Sequence, residues 1–533
     1  QTRVAAVLDY YRRFMAALPT VAERKRQALE LLARWGEQNT NRALAILATG
    51  GDTAEAEKLL AVQSDYIRRR FDCSDFYLVY YPYILRTFGK RGSGILSEKT
   101  ENELTDCLLG FRYWIDEPGN DAMWFWSENH ALMFHTCQLL AGELFPDEVF
   151  TNSGLTGRQM QAKAKNMLYD WFVTFRKEGF TEWNSSPYLP IDTLGFGSLY
   201  AFAQDPAMRE LGREGMDFAY YLLAVHSQKG IFASSSGRTY IKEQFGNWSN
   251  CPSGLSWIGY GYGVPGHAGK GITSYCLSDY EPPKEFAQWF SIPRGKEMIC
   301  QTTQGNDGYV DLYTYKTADY MMTSANDFHP GEPGHQENPF QLTFNAVAQL
   351  WVTHPGERVL FGAARPSYWA GNGTLPKVNQ YKAFAGLIYD IAPEHPVDFT
   401  HLYLPSMEFD RCEVEGKWAF VQLGSAYAAV YCSNGMRMQD FGSNKDRECI
   451  AEGRRCIWLV RAAQADEFAA FEDFKAAMRG AALDADAEGR RYRFVDPVYG
   501  ELRCQWGETL YVNDAPMQYS GFDNYGKLTM QEK

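Results

Sequence analysis

Up to about residue 230 the apolar side chains recur with the helical period, in segments separated by short polar connections. The pattern predicts helices over residues 4–18, 21–35, 42–47, 53–60, 75–88, 101–114, 125–144, 157–175, 194–202 and 206–225. Thr53 and Asp75 stand where helix caps are expected, and Gly51, Gly89, Gly142 and Gly179 fall at helix ends or in connections. No heptad is sustained and no fixed-period repeat is present, which favours a closed toroid of helical hairpins over a coiled coil or a solenoid.

From about 230 to 265 the texture turns Gly-, Ser- and aromatic-rich, as in Ser234-Ser235-Ser236-Gly237-Arg238-Thr239-Tyr240 and Trp257-Ile258-Gly259-Tyr260. A long irregular stretch of this kind in a compact domain is usually functional. A short helical part over 271–290 follows. After about 292 the runs are short and β-rich: 309–315, 320–324, 341–347, 419–423, 427–432 and 457–461. Turn signals lie beside them at 306–308 and 371–373, and one helix is expected over 467–478. The expected architecture is an N-terminal (α/α) toroid over residues 1–290 followed by a C-terminal antiparallel β-sandwich over 291–533.

Composition narrows the class. The chain has 533 residues, 45% hydrophobic and 22% charged, with no apolar run long enough to span a bilayer. A net charge of −13 speaks against nucleic acid or an anionic membrane as partner. The eleven cysteines are odd in number and lack CxxC pairing, so they form neither a zinc framework nor a disulfide scaffold. No phosphate loop, dinucleotide fingerprint or nucleophile elbow is present, and neither a cofactor nor a metal is expected. Compartment and oligomeric state stay open. Gln1 already lies in helical sequence, which is compatible with a secreted or periplasmic protein whose signal peptide was removed.

Two stretches carry candidate chemistry. In Trp124-Phe125-Trp126-Ser127-Glu128-Asn129-His130 three aromatics lead into an acid, an amide and an imidazole at the start of an apolar helix. In Gly179-Phe180-Thr181-Glu182-Trp183-Asn184-Ser185-Ser186-Pro187-Tyr188 a polar and aromatic loop feeds another helix. A capping Ser127 with a satisfied core histidine is the structural alternative, since buried polar groups are costly unless paired. Arg238 and His226 are further candidates, His226 standing where the helix dipole also favours a histidine. Trp126, Trp183, Asn184, Trp257 and Tyr260 are the expected substrate contacts, since aromatic faces can stack on a ligand as well as fill a core. In the second half, His329-Pro330-Gly331-Glu332-Pro333-Gly334-His335-Gln336-Glu337-Asn338 reads as a loop reaching the domain interface. Tyr368-Trp369-Ala370-Gly371-Asn372-Gly373 reads as an aromatic turn.

This layout, with Asn129-His130 opening an inner helix and Tyr188 about 60 residues later, resembles the heparinase II/III and alginate-lyase group of polysaccharide lyases. Two positions depart from that group's pattern: Glu128 replaces a first Asn, and Leu189 stands where a His often follows the Tyr. The resemblance implies β-elimination on a uronic-acid-containing glycan. Asn129 and a donor histidine would neutralise the uronate carboxylate, Tyr188 or His130 would move the proton, and Arg238 would bias the tyrosine or hold the carboxylate. Glu128 and Glu182 keep open an inverting glycoside hydrolase on the same toroid, with two carboxyl groups as acid and base. A non-catalytic glycan-binding protein is the third reading.

Overall fold

The computed structural model describes residues 20–121, 123–245, 250–262, 271–305 and 309–533. The expected helix over 4–18 and the turn at 306–308 lie outside them. The helical part is built from Val21–Trp35, Thr40–Ala48, Thr53–Arg68, Asp75–Leu78, Tyr81–Phe88, Glu98–Gly110, Glu128–Leu144, Gly157–Glu178, Leu189–Phe202 and Pro206–Val225. Shorter helices follow at Ile241–Gln244, Pro252–Tyr260, Ile272–Leu277 and Ala287–Phe290.

Where these bounds differ from expectation, local chemistry explains it. The segment 75–88 is two helices, because Pro82 in the first turn of Tyr81–Phe88 has no amide hydrogen to continue the ladder. The helix expected from 101 begins at Glu98, where the Ser97 hydroxyl accepts the Thr100 amide. The inner helix starts at Glu128, leaving Trp124, Phe125 and Trp126 in the turn before it. The helix after Tyr188 starts at Leu189, with Pro190 in its first turn.

Glu128–Leu144 and Leu189–Phe202 are buried nearly all round, whereas Gly157–Glu178 keeps an exposed face. That is the inner and outer division of a toroid. Gly195 permits the close approach of the two inner helices, since a Cβ there would lie 2.6 Å from the Leu132 side chain. The ring closes on itself through two cations of Val21–Trp35. Arg24 donates to the carbonyls of Ile258 (2.9 Å) and Gly259 (3.2 Å), and Lys25 donates to those of Ser278 (3.0 Å) and Tyr280. Desolvation lowers the pKa of both, and each finds carbonyl partners instead of water.

Beyond Lys296 the chain is a β-sandwich in which every pairing is antiparallel among the described residues. One sheet has nine strands, with Arg437–Met438 and Lys527–Glu532 at its edges and Lys296–Gln304 beside the latter, and the facing sheet has six. Tyr313, Met322, Leu342 and Val352 of the first interleave with Val378, Leu387, Val430 and Leu459 of the second in one core. A five-stranded sheet from Leu483 onward joins that core through Tyr492, Phe494 and Leu502. The strand expected over 341–347 stops at Thr343, and the late helix runs Phe471–Gly480.

The two halves are packed together. The helical core continues onto Met298 and Cys300 of the sandwich edge, and Trp183 inserts among Val310, Leu312, Ala325, Phe328 and Leu375. This seam matters because it carries loops of both halves to one cleft.

Candidate active site

A cleft of about 1000 Å³ lies between the toroid and the sandwich. Trp124 and Trp126 line it from the turn before the inner helix, and Asn129 and His130 from the first turn of that helix. Glu182 and Tyr188 come from the second polar stretch, Arg238 and Tyr240 from the Ser-rich segment, and His335 and Arg365 from the sandwich. The cleft thus collects six residues expected from sequence: Trp126, Asn129, His130, Glu182, Tyr188 and Arg238.

Local bonds explain how separate segments converge. The Glu128 carboxylate accepts the backbone N–H groups of Thr181 (2.9 Å) and Glu182 (3.3 Å), tying the second stretch to the helix start. The Gly237 N–H donates to the Trp183 carbonyl (2.8 Å), and the Ser185 hydroxyl donates to the Arg238 carbonyl (2.9 Å). From the sandwich, Ser236 and Asn338 exchange backbone bonds (2.8 and 2.7 Å), and the Thr239 N–H donates to the Gln336 carbonyl (3.0 Å). The segments 183–188, 236–240 and 335–338 are therefore stitched into one unit. The loop at 329–338 reaches the interface, as its turn-rich sequence suggests.

Within the cleft, Arg238 is the hub. Its Nη1 pairs with Glu182 Oε1 (3.1 Å), and its Nη2 donates to the hydroxyls of Tyr240 (3.3 Å) and Tyr188 (3.5 Å). The two tyrosine hydroxyls lie 3.0 Å apart, and Asn129 Nδ2 donates to Glu182 Oε2 (3.3 Å). Burial raises the Tyr188 pKa and its bond to Tyr240 raises it further, against the opposing pull of Arg238. Tyr188 is thus a protonated donor in the ground state.

His130 is held from behind. Its Nδ1 lies 2.8 Å from Asp75 Oδ2, and its ring stacks on Phe76 at 4.7 Å and 12°. Burial pulls its pKa down, but the charge and hydrogen bond of Asp75 outweigh that and push it up to about 10. Burial of Asp75 raises the pKa of that carboxyl in turn. His335 behaves oppositely: burial lowers its pKa, Glu337 opposes, and Arg238 and Arg365 lower it further. One imidazole in the cleft favours the charged form and the other the neutral form.

Three carboxyl groups cluster at this site, and burial raises the pKa of each. Glu128 is pushed up to about 8, Asp192 stands well above its usual range, and Glu182 is raised despite Arg238. Only Glu182 lines the cleft.

The other expected residues are not brought to it. Glu128 turns its carboxylate onto the two backbone amides. Trp183 is buried in the seam with the sandwich. Asn184 sits buried in a left-handed turn (φ 49°) beside a separate small cavity of about 20 Å³. Trp257 is 1% exposed within the helical core, and Tyr260 donates its hydroxyl to the Pro283 carbonyl (2.6 Å). His226 is buried at its helix end against the Leu222 carbonyl (3.1 Å), and burial depresses its pKa to about 3.

Sequence reasoning did not single out Tyr240, Asp75, Trp124, Arg365 or His335 as site residues. Tyr240 and His335 stood within stretches marked for their composition. Asp75 looked like a cap, and nothing local to Arg365 marks it. The aromatic turn at 368–373 lies beneath the cleft wall: Trp369 is buried and packs with Ile241 and Phe245.

Two solved structures of heparinase III are similar to this chain. One shares 8% sequence identity, over 88% of this chain and 81% of that chain, with a TM-score of 0.41. The other, a heparinase III gene product, shares 11% identity over 93% of this chain and 83% of that chain, with a TM-score of 0.41. No protein-family model matches the sequence, and no curated protein matches it.

Proposed function

We propose that this chain is a polysaccharide lyase that cleaves a uronic-acid-containing glycan by β-elimination in the cleft between toroid and sandwich. One observation carries the reading. A protonated tyrosine, a neutral histidine and a carboxylate-backed histidine beside an amide line one cavity, and those are the roles elimination requires.

The uronate carboxylate resists loss of the neighbouring C5 proton, because the charge that develops runs into its own. Asn129 and His130 donate hydrogen bonds to that carboxylate and stabilise the charge as it grows. His335 takes the C5 proton on its free imidazole nitrogen. The C5 electron pair forms the C4–C5 double bond as the C4–O bond breaks, and Tyr188 donates its hydroxyl proton to the leaving oxygen. Arg238 then stabilises the phenolate until solvent returns a proton to it and His335 releases one. Glu182 positions Asn129 and Arg238.

The hydrolase reading loses ground on one distance set. It needs two accessible carboxyl groups, and the Glu128 carboxylate is engaged at 2.9 and 3.3 Å by backbone amides and does not line the cleft. Incubation with a panel of uronate-containing and neutral glycans tests the proposal. A lyase yields reducing ends together with near-ultraviolet absorbance from the unsaturated uronate. Tyr188→Phe is expected to lower turnover by about 10²–10⁴-fold with substrate affinity little changed. Reducing ends without absorbance would make the protein a hydrolase, and binding with neither signal would make it a glycan binder.

A further inference from the structure

One wall of the cleft carries, beside His130, two side chains that the elimination chemistry does not use. Asp72 and Cys73 precede the short helix Asp75–Leu78, and both line the cleft beside His130. A carboxylate oxygen of Asp72, the Cys73 sulfur and a ring nitrogen of His130 all lie within 4.8 Å of one another. The Asp72 Oδ1 to His130 Nε2 separation is 4.0 Å. Ligands of a tetrahedral zinc ion stand about 3.3–3.8 Å apart, as follows from bonds of about 2.0–2.3 Å. The Asp72 side chain is 48% exposed, so small rotations of it and of Cys73 close the difference.

A second, independent feature points the same way. Metal-bound histidines characteristically give their other ring nitrogen to a carboxylate, which fixes the tautomer and the ring plane. Here Asp75, itself fully buried, holds Nδ1 at 2.8 Å and Phe76 stacks on the ring, so that Nε2 is the nitrogen left toward Asp72. The ligand loop is also fixed. Tyr66 donates its hydroxyl to the Asp72 carbonyl (2.6 Å), and Ser74 donates its own to the Phe71 carbonyl (2.6 Å). Thiolate with imidazole selects a borderline-soft cation over calcium or magnesium.

We propose that Asp72, Cys73 and His130 form a binding site for a divalent cation of the zinc class, with its fourth position open to the cleft. Binding replaces the thiol proton, which passes to solvent, and takes His130 Nε2 as a ligand. An occupied site therefore withdraws His130 from the substrate carboxylate, and zinc inhibits turnover. The inhibition arm rests on the lyase reading. The binding arm does not.

Titration of the reduced full-length protein with Co²⁺ tests the binding. One equivalent is expected to produce a thiolate-to-cobalt absorption band in the near ultraviolet, displaced by Zn²⁺. Cys73→Ser removes the band. Asp75→Asn, which leaves all three ligands in place, weakens Co²⁺ binding by about 10–100-fold. Cys251→Ser, at another thiol of the same cleft, leaves the band intact. Melting curves confirm that each variant is folded. In the inhibition arm, stoichiometric Zn²⁺ suppresses the wild-type elimination signal, a chelator restores it, and Cys73→Ser is insensitive. Absence of the cobalt band, a band that survives Cys73→Ser, or zinc inhibition that survives it overturns the assignment. If no glycan is cleaved at all, the lyase reading falls and the cobalt band still decides the site.

Discussion

Two buried histidine–carboxylate pairs occur among the described residues, one in each half, and their surroundings separate a site from a core. In the sandwich His401 Nδ1 lies 2.7 Å from Glu448 Oε1, with both side chains fully buried. Every polar end there has a partner. His401 Nε2 meets the Thr353 hydroxyl (2.8 Å), while Tyr368 and Asn444 donate to the two Glu448 oxygens (2.5 and 2.9 Å). In the toroid His130 and Asp75 are joined at 2.8 Å, but Asp75 Oδ1 has no hydrogen-bond partner and His130 Nε2 faces an acid only at 4.0 Å. Burial raises the Asp75 pKa. Glu448, equally enclosed, is held below its usual value because His401, Tyr368 and Asn444 outweigh its burial. A closed network specifies structure, and one with a loose end in a cleft is available for chemistry.

The sharpest way to break this contrast is to remove one imidazole at a time. His130→Gln is expected to lower turnover on the uronate glycan by about 10²–10³-fold, as loss of an oxyanion donor does. Its urea midpoint should change little, because Asp75, with its raised pKa, can take up a proton. His401→Gln should do the reverse. It strands Glu448 and costs about 3–5 kcal/mol in urea unfolding, with normal turnover for the fraction that stays folded. Equal losses of stability in the two variants would erase the distinction.

A milder test uses pH. Glu128, with its pKa raised to about 8, binds its proton more tightly folded than unfolded. Its contribution to stability is complete below the unfolded value near 4.5 and is lost as pH rises to about 8. Glu448 has the opposite sign, contributing above 4.5 and losing that contribution as pH falls through its depressed folded value. Glu128→Gln should therefore flatten the decline in melting temperature between pH 5 and 8. An unchanged slope would mean that Glu128 is ionised in the native protein.

The smallest expected effect concerns the tryptophans. Trp126 is 64% exposed on the cleft wall, whereas Trp183 is 1% exposed in the seam. Trp126→Ala should weaken substrate binding by about 1 kcal/mol, roughly fivefold in KM, with no change in melting temperature. A KM unaffected by this change would remove Trp126 from the substrate path.

The helical period and the switch to short β-rich runs made the architecture legible, since both record which faces are buried. So did the two polar stretches, because a run such as Ser127-Glu128-Asn129-His130 opening an apolar helix is costly unless something pairs it. What the sequence conceals is direction. Glu128 and Glu182 are equivalent as letters, yet one clamps backbone amides and the other faces the cleft. Trp126 and Trp183 differ in the same way. Residues contributed across the seam are hidden for another reason. Nothing near Arg365 or His335 in the chain refers to Tyr188, and only the packing of sandwich on toroid brings them together.

The backbone stitching of 183–188, 236–240 and 335–338 has a mechanical consequence. Tyr188, Arg238 and His335 ride on segments joined by short backbone ladders, which set the spacing between the proposed acid, cation and base. Asn129 and His130 stand on the inner helix, which meets those segments through the Glu128 carboxylate on the Thr181 and Glu182 amides and through the Asn129–Glu182 bond. In the proposed reaction the distance from the groups that move the proton to the groups that hold the carboxylate rests on these three hydrogen bonds. A glycan bound across the cleft would add a fourth link between them.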